Sequence, residues 1–268
     1  EFLCSGRTCR KLQEWQGKRV PMNLLDSLKI KIFADGADLD GILAMYADPR
    51  ISGFTTNPTL MRKAGVKDYE RFARSVLERI PDRPISFEVF ADDFEEMERQ
   101  ARRIASWGAN VNVKIPITNT LGESAIGVVE RLSGDGITVN VTAIMTIEQV
   151  HAVAAALSRE SAAIVSVFAG RIADTGRDPV PHLRACLDAL SNRPGAALLW
   201  ASPRELLNLF QADAVGCHII TMTNDLLSKM AMVGKNLDEF SVETVKMFYQ
   251  DAESAGYTLD TESTKSGI

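Results

Sequence analysis

Histidine is scarce: three in 268 residues, His151, His182 and His218, far apart and each isolated among residues of helix or strand type. No metal site is expected from them, which argues against metal-dependent aldolase or hydrolase chemistry. The four cysteines, Cys4, Cys9, Cys186 and Cys217, have neither metal-ligand spacing nor a disulfide framework, so a reducing cytoplasm is the expected compartment. No apolar run is long enough to span a bilayer. Large net charge is absent too. At -5 and a pI of about 5.4 the chain offers no electrostatic footprint for nucleic acid or an anionic membrane, so any anion it binds must be held locally.

What is present is a repeated one-sided polarity. In V-N-V-K-I (111–115) apolar and polar residues alternate, so a strand puts Asn112 and Lys114 on one face and Val111, Val113 and Ile115 on the other. Ser86, Glu88 and Phe90 oppose Phe87 and Val89 in the same way, and Thr138, Asn140 and Thr142 oppose Val139, Val141 and Ala143. An edge strand with a solvated lysine would explain one such case. Three strands in succession, alternating with helix-length amphipathic segments, call instead for parallel strands closed into a barrel with these polar faces at its mouth.

Read in order, 1–21 is a mixed, basic lead without periodicity, expected to be a leader or disordered arm outside the fold. Residues 22–260 are expected to form one domain. Strand one is K-I-F-A-D (31–35), with Asp35 at its carboxyl end, and Asp38 caps the helix that follows. Strand two ends in the polar turn Thr55-Thr56-Asn57-Pro58. Amphipathic helices start after Asp68 and Asp93. A further helix is expected over 122–132, and strand six is read as running into Arg171, ahead of a loop holding Asp174. Strand seven ends at Ser202 and Arg204, strand eight covers about 218–221, and an amphipathic segment over 242–255 follows. The count favours an α/β (β/α)8 TIM barrel with an additional C-terminal helix, and the tail 261–268 reads as disordered.

Active sites of such barrels lie at the carboxyl ends of the strands, where this reading gathers Asp35, Asn57, Glu88, Lys114, Asn140, Thr142, Arg171, Ser202 and Arg204. A lysine in a partly buried pocket can act as a neutral amine and form a Schiff base with a ketone. Two flanking carboxylates can move protons. A buried ion-pair network that only sets register is the structural alternative. Arg171 and Arg204, beside Ser202, suit a phosphate, or else are surface salt-bridge partners.

G-F-T-T-N-P-T-L-M (53–61) resembles the signature of the transaldolase family, and V-N-V-K-I-P-I (111–117) resembles its Schiff-base strand. The resemblance runs from Ile32 to about Met230. It implies a metal-free class I barrel, with no cofactor, that moves a dihydroxyacetone unit from a ketose phosphate to an aldose phosphate. By that resemblance Lys114 is the Schiff-base lysine, Asp35 takes the C4 hydroxyl proton, Glu88 is an acid/base acting through a water, and Thr142 places that water. Thr55, Asn57, Asn140 and Ser166 match sugar-contacting positions, and Arg171, Ser202 and Arg204 match the phosphate grip. A related branch, the fructose 6-phosphate aldolases, releases free dihydroxyacetone and carries glutamine and tyrosine where this chain has Glu88 and Phe168; both positions side with transfer. Pro203, the D-G-A-D motif after strand one, and Met145-Thr146 depart from the family pattern. They leave open whether the anion is a phosphate or the sulfonate of a modified ketose. The implied partners are sugar phosphates and further copies of the chain, through the C-terminal helix. A catalytically silent sugar-phosphate-binding barrel is the reading from outside enzymology.

Overall fold

The structure, a computed structural model, describes residues 24–159 and 161–259. The expected leader 1–21 and tail 261–268 lie outside them. Eight parallel strands close into a barrel in sequence order: β1 (Lys31–Asp35), β2 (Ile51–Thr55), β3 (Ile85–Glu88), β4 (Val111–Pro116), β5 (Val139–Ile144), β6 (Ala163–Val167), β7 (Ala196–Trp200) and β8 (Ile219–Thr223). The helices are α1 (Leu39–Tyr46), α2 (Pro58–Lys63), α3 (Tyr69–Arg79), α4 (Phe94–Ala105), α5 (Ile126–Gly134), α6 (Ile147–Ala156), α7 (Ala169–Asp174), α8 (Pro179–Ala189), α9 (Leu207–Val215), α10 (Asn224–Ser228) and α11 (Leu237–Ala255).

Local chemistry accounts for many boundaries. Asp38, Asp68 and Asp93 each accept a backbone N–H at the start of their helix, as expected of acidic N-caps. Thr146 and Gln149 form a reciprocal capping box on α6, which explains the polar residue after Met145. Other boundaries differ from the sequence reading. The helix expected over 122–132 is α5 and begins only at Ile126, because Gly122 sits at φ +79° in a turn. The Asn57-Pro58 turn opens a short helix, α2, whose N-cap is Asn57 and whose N1 is Pro58. Strand six stops at Val167, so Arg171 and Asp174 lie on α7 and not on a strand and a loop. Strand eight runs two residues past Thr221. The C-terminal helix starts at Leu237, five residues earlier than its apolar periodicity indicates, because Asn236 caps it.

The core has two layers. Outward-facing residues such as Phe54, Phe87, Val113, Val141, Val165 and Trp200 pack against the helices and are buried. Inside the barrel, Phe33, Ile164, Leu199, Ala201 and Ile219 form a separate apolar plug on the β1, β6, β7 and β8 side. Phe33 fills the centre because Gly53 faces it: a Cβ there would come within 2.6 Å of the Phe33 ring. Above this plug the carboxyl ends of the strands carry polar side chains, and those ends hold the site.

Candidate active site

Lys114 projects from β4 into the barrel and is 6% exposed. Its Nζ lies 2.9 Å from Glu88 Oε2 on the neighbouring strand and donates to the Thr56 carbonyl at 2.8 Å. The register makes this pair: Glu88 stands opposite Lys114 in the β3–β4 ladder. Across the mouth, Thr55 donates to Asp35 Oδ1 at 2.7 Å and its hydroxyl also meets that of Thr221. Enclosure in the barrel pushes the Asp35 carboxyl above the usual range; Lys114 and then the Thr55 hydrogen bond pull it down, and Glu88 pushes it up.

Beneath the lysine runs a polar bridge across the barrel floor. Asn140 donates to Ser86 at 3.0 Å and accepts from Ser166 at 2.7 Å, tying β3, β5 and β6 together. Asn140 is fully buried and both ends of its amide are engaged. It therefore supports the site from below and does not line it, unlike the position in which sequence reading put it.

The other eleven expected residues line one cavity of about 470 Å3 at the carboxyl ends of the strands: Asp35, Thr55, Asn57, Glu88, Lys114, Thr142, Ser166, Phe168, Arg171, Ser202 and Arg204. Thr221 and Thr223 of β8 join them. Thr223 lies beyond the expected end of strand eight at 221, and Thr221 lies within that strand without having been singled out; the alternation in I-I-T-M-T (219–223), which puts both on one face, carries the signal. Thr142 Oγ1 is buried and has no partner within the protein. Among the described residues, Ala143 and Ser202 are the non-glycine residues with positive φ, at 60° and 59°, and both line the cavity. Such conformations cost about 1–3 kcal/mol each and persist where surrounding structure imposes them. At Ala143 the β5–β6 register slips between Val141 and Ile144, so Ala143 turns into the cavity beside Thr142 instead of facing the helices. Phe90, read on the face of Glu88, lies past the end of β3 and is 65% exposed.

At the far wall Arg171 stacks on the Phe168 ring at 5.7 Å. Arg204 is held side-on by Asp174: its Nε donates to Oδ1 at 2.9 Å and its Nη2 to Oδ2. A guanidinium has five N–H donors, so this pair leaves three for a ligand while fixing the plane of the group. Asn57 uses its carbonyl oxygen to cap α2 through the Leu60 N–H, which leaves its amide nitrogen for the cavity. Among the described residues no group of three or more His, Cys, Asp or Glu side chains could hold a metal ion. None of their helices is long and apolar enough to cross a membrane.

The Asp35–Thr55 bond makes a testable prediction. Thr55→Val removes a contact that lowers the Asp35 pKa, so the acid limb of the kcat/KM profile is expected to move to higher pH. A limb that stays in place or moves down contradicts the assignment of that limb to Asp35.

A lysine and two carboxyls enclosed at the carboxyl ends of a closed barrel, facing two arginines across a cavity, define a (β/α)8 enzyme site of the amine-and-carboxylate kind. Comparison with known proteins narrows the class. Residues 32–265 match the family model described as Transaldolase/Fructose-6-phosphate aldolase, and the chain belongs to that family. It is 35% identical over 231 residues to the probable transaldolase of Thermoanaerobacter sp. (strain X514), covering 86% of this chain and 100% of that protein. Against the probable transaldolase of Streptococcus equi subsp. equi (strain 4047) the identity is 36% over 204 residues, covering 75% and 90%. In fold it resembles the 3-hexulose-6-phosphate synthase of Salmonella typhimurium, with a TM-score of 0.51 at 15% identity, covering 73% of this chain and 89% of that one.

Proposed function

We propose that the protein is a transaldolase that carries a dihydroxyacetone unit on Lys114 from a ketose phosphate to an aldose phosphate. The observation that carries this is the placement of Lys114 Nζ, nearly enclosed at the base of the cavity and 2.9 Å from Glu88. Transfer of a proton from the ammonium to Glu88 leaves a neutral amine able to add to the donor ketone, and return of that proton to the departing hydroxyl releases water and gives the protonated imine, the electron sink for the cleavage. Asp35, across the mouth, takes the proton of the C4 hydroxyl as the C3–C4 bond breaks, and the aldose leaves. The enamine left on Lys114 then adds to the incoming aldehyde, and hydrolysis of the new imine frees the lysine. That Thr142 Oγ1 has no partner within the protein supports its holding the water for this step. Arg171 and the three free donors of Arg204 are the anion grip. Phe168 supports transfer over release of free dihydroxyacetone, because it brings no hydroxyl to protonate the enamine.

Borohydride trapping with fructose 6-phosphate, followed by peptide mass mapping, tests the reading. A dihydroxyacetone-derived adduct on Lys114 that is lost when erythrose 4-phosphate is added, with glyceraldehyde 3-phosphate and sedoheptulose 7-phosphate formed in equal amounts, is the expected result. An adduct indifferent to acceptor means a dihydroxyacetone-releasing aldolase; none with any phosphorylated or sulfonated ketose means a binding protein.

Assembly into a homo-oligomer through α11 is part of the same proposal. No residue of this helix is buried, and Leu237, Val242, Val245, Phe248 and Tyr249 are more than half exposed. Sedimentation of the full chain is expected to show an oligomer that a Val245→Asp/Phe248→Asp double variant dissociates; a monomeric parent protein refutes it.

A further inference from the structure

The geometry points to Tyr69 as a positioning residue that holds Glu88 against Lys114. This rests on the reading of Lys114 and Glu88 given above. Along β2 and β3 the ladder pairs Phe54 with Ile85 and Thr55 with Ser86, and its last backbone bond runs from Thr56 N–H to the Ser86 carbonyl. Beyond it β2 turns away into α2, so Glu88 has no strand partner on that side. The Tyr69 phenol takes that place. It donates to the Glu88 carbonyl at 2.9 Å and accepts from the Glu88 N–H at 2.8 Å. One hydroxyl thus satisfies both backbone groups that a paired strand residue would have satisfied.

On its other side Glu88 is tied into β4, where the Val89 N–H donates to the Lys114 carbonyl. Glu88 is therefore clamped between β4 and the phenol, with its carboxylate on Lys114. The ring that carries the hydroxyl is itself set by edge contacts to Phe87 at 6.3 Å and Phe90 at 5.6 Å, and by a tilted contact to Trp107 at 5.7 Å. Enclosure raises the phenol's pKa, so the donor proton is retained across the working pH range. Tyr69 touches no reacting atom; it acts through Glu88.

Tyr69→Phe keeps the ring packing and removes both bonds to Glu88, along with the phenol's hydrogen bond to the Thr56 side chain. Displacement of a catalytic group by about 1 Å can cost on the order of 100-fold in rate. The expected result is a kcat lower by about 10- to 100-fold with KM changed less than about twofold, and a displaced pH profile of kcat. Unchanged kcat and pH profile, with only a lower Tm, makes Tyr69 merely structural and overturns the inference. Should this variant not fold, 4-aminophenylalanine at position 69 carries the test. It keeps a donor to the Glu88 carbonyl and loses the strong acceptor for the Glu88 N–H, so kcat is expected to fall about three- to tenfold at constant KM. Parent kcat and pH profile in that variant overturn the inference equally. Trapping of the parent enzyme runs alongside: no adduct on Lys114 there sinks the imine reading, whereas an adduct with an indifferent position 69 sinks only this one.

Discussion

Lys114→Met is expected to abolish transfer, lowering kcat/KM by at least about four orders of magnitude, and to eliminate the borohydride adduct. The substitution preserves length and apolar volume while removing the amine, so loss of the barrel cannot account for the result if the far-ultraviolet dichroism is unchanged. Retained transfer above about a thousandth of the parent rate would refute covalent catalysis through this lysine. The change also has a stability signature. Glu88 loses its ion-pair partner, and removing one member of an enclosed pair costs about 3–5 kcal/mol in deep burial, less here because the Glu88 side chain is 15% exposed.

The same variant changes the pH dependence of stability through Asp35. Lys114 lowers the Asp35 pKa, and burial has already raised it above its unfolded value. A carboxyl with a raised folded pKa binds more protons in the native state than in the unfolded one over the window between the two values. Its contribution to stability therefore falls as pH rises through that window. In Lys114→Met the window extends further upward, so the Tm deficit against the parent is expected to be larger at pH 8 than at pH 5. A deficit that is constant or larger at acid pH would contradict the coupling of Asp35 to this lysine.

Gly170→Ala is expected to be the most destabilising single methyl in the site region. A Cβ at Gly170 would lie 1.6 Å from the Ser202 carbonyl oxygen and 2.7 Å from its carbon. Both are backbone atoms, and Ser202 is already at φ 59°, so no side-chain rotation relieves the clash. The start of α7 and the end of β7 must separate, which moves Arg171 away from Ser202 and Arg204. Overpacking against flexible neighbours costs about 1–3 kcal/mol; against fixed backbone the loss is expected to exceed about 3 kcal/mol, or a Tm lower by roughly 6–12 °C. Where the variant remains folded, KM for phosphorylated sugars is expected to rise more than kcat falls. Gly134→Ala is the control: it closes α5 in open space, so its Tm is expected to stay level or rise. Equal Tm values for the two variants would show that the Gly170–Ser202 approach is not needed.

Local pattern and long-range closure contributed differently to what could be read in advance. The period-two polarity of Ser86 and Glu88, of Asn112 and Lys114, and of Asn140 and Thr142 is a property of consecutive residues, and it led to the barrel and to the lysine. Aspartate caps at positions 38, 68 and 93 are equally local, and they marked three helix starts. The family signature added roles to residues already singled out by position. By itself, then, the sequence determined the fold class, the face on which each polar residue stands, and the set of side chains able to meet at the strand ends.

Tertiary structure alone decided which of them touch. Barrel register set Glu88 against Lys114 and sank Asn140 beneath the cavity, because closing eight tilted strands fixes each residue's depth as well as its face. Asp174 could be assigned to Arg204 only once α7 was seen to replace the expected loop. Tyr69 carries no motif: its role arises because β2 ends two residues too soon to pair with Glu88, and a phenol from a helix supplies the missing hydrogen bonds. Contacts of this kind join residues far apart in the chain, and only the packed barrel brings them within 3 Å.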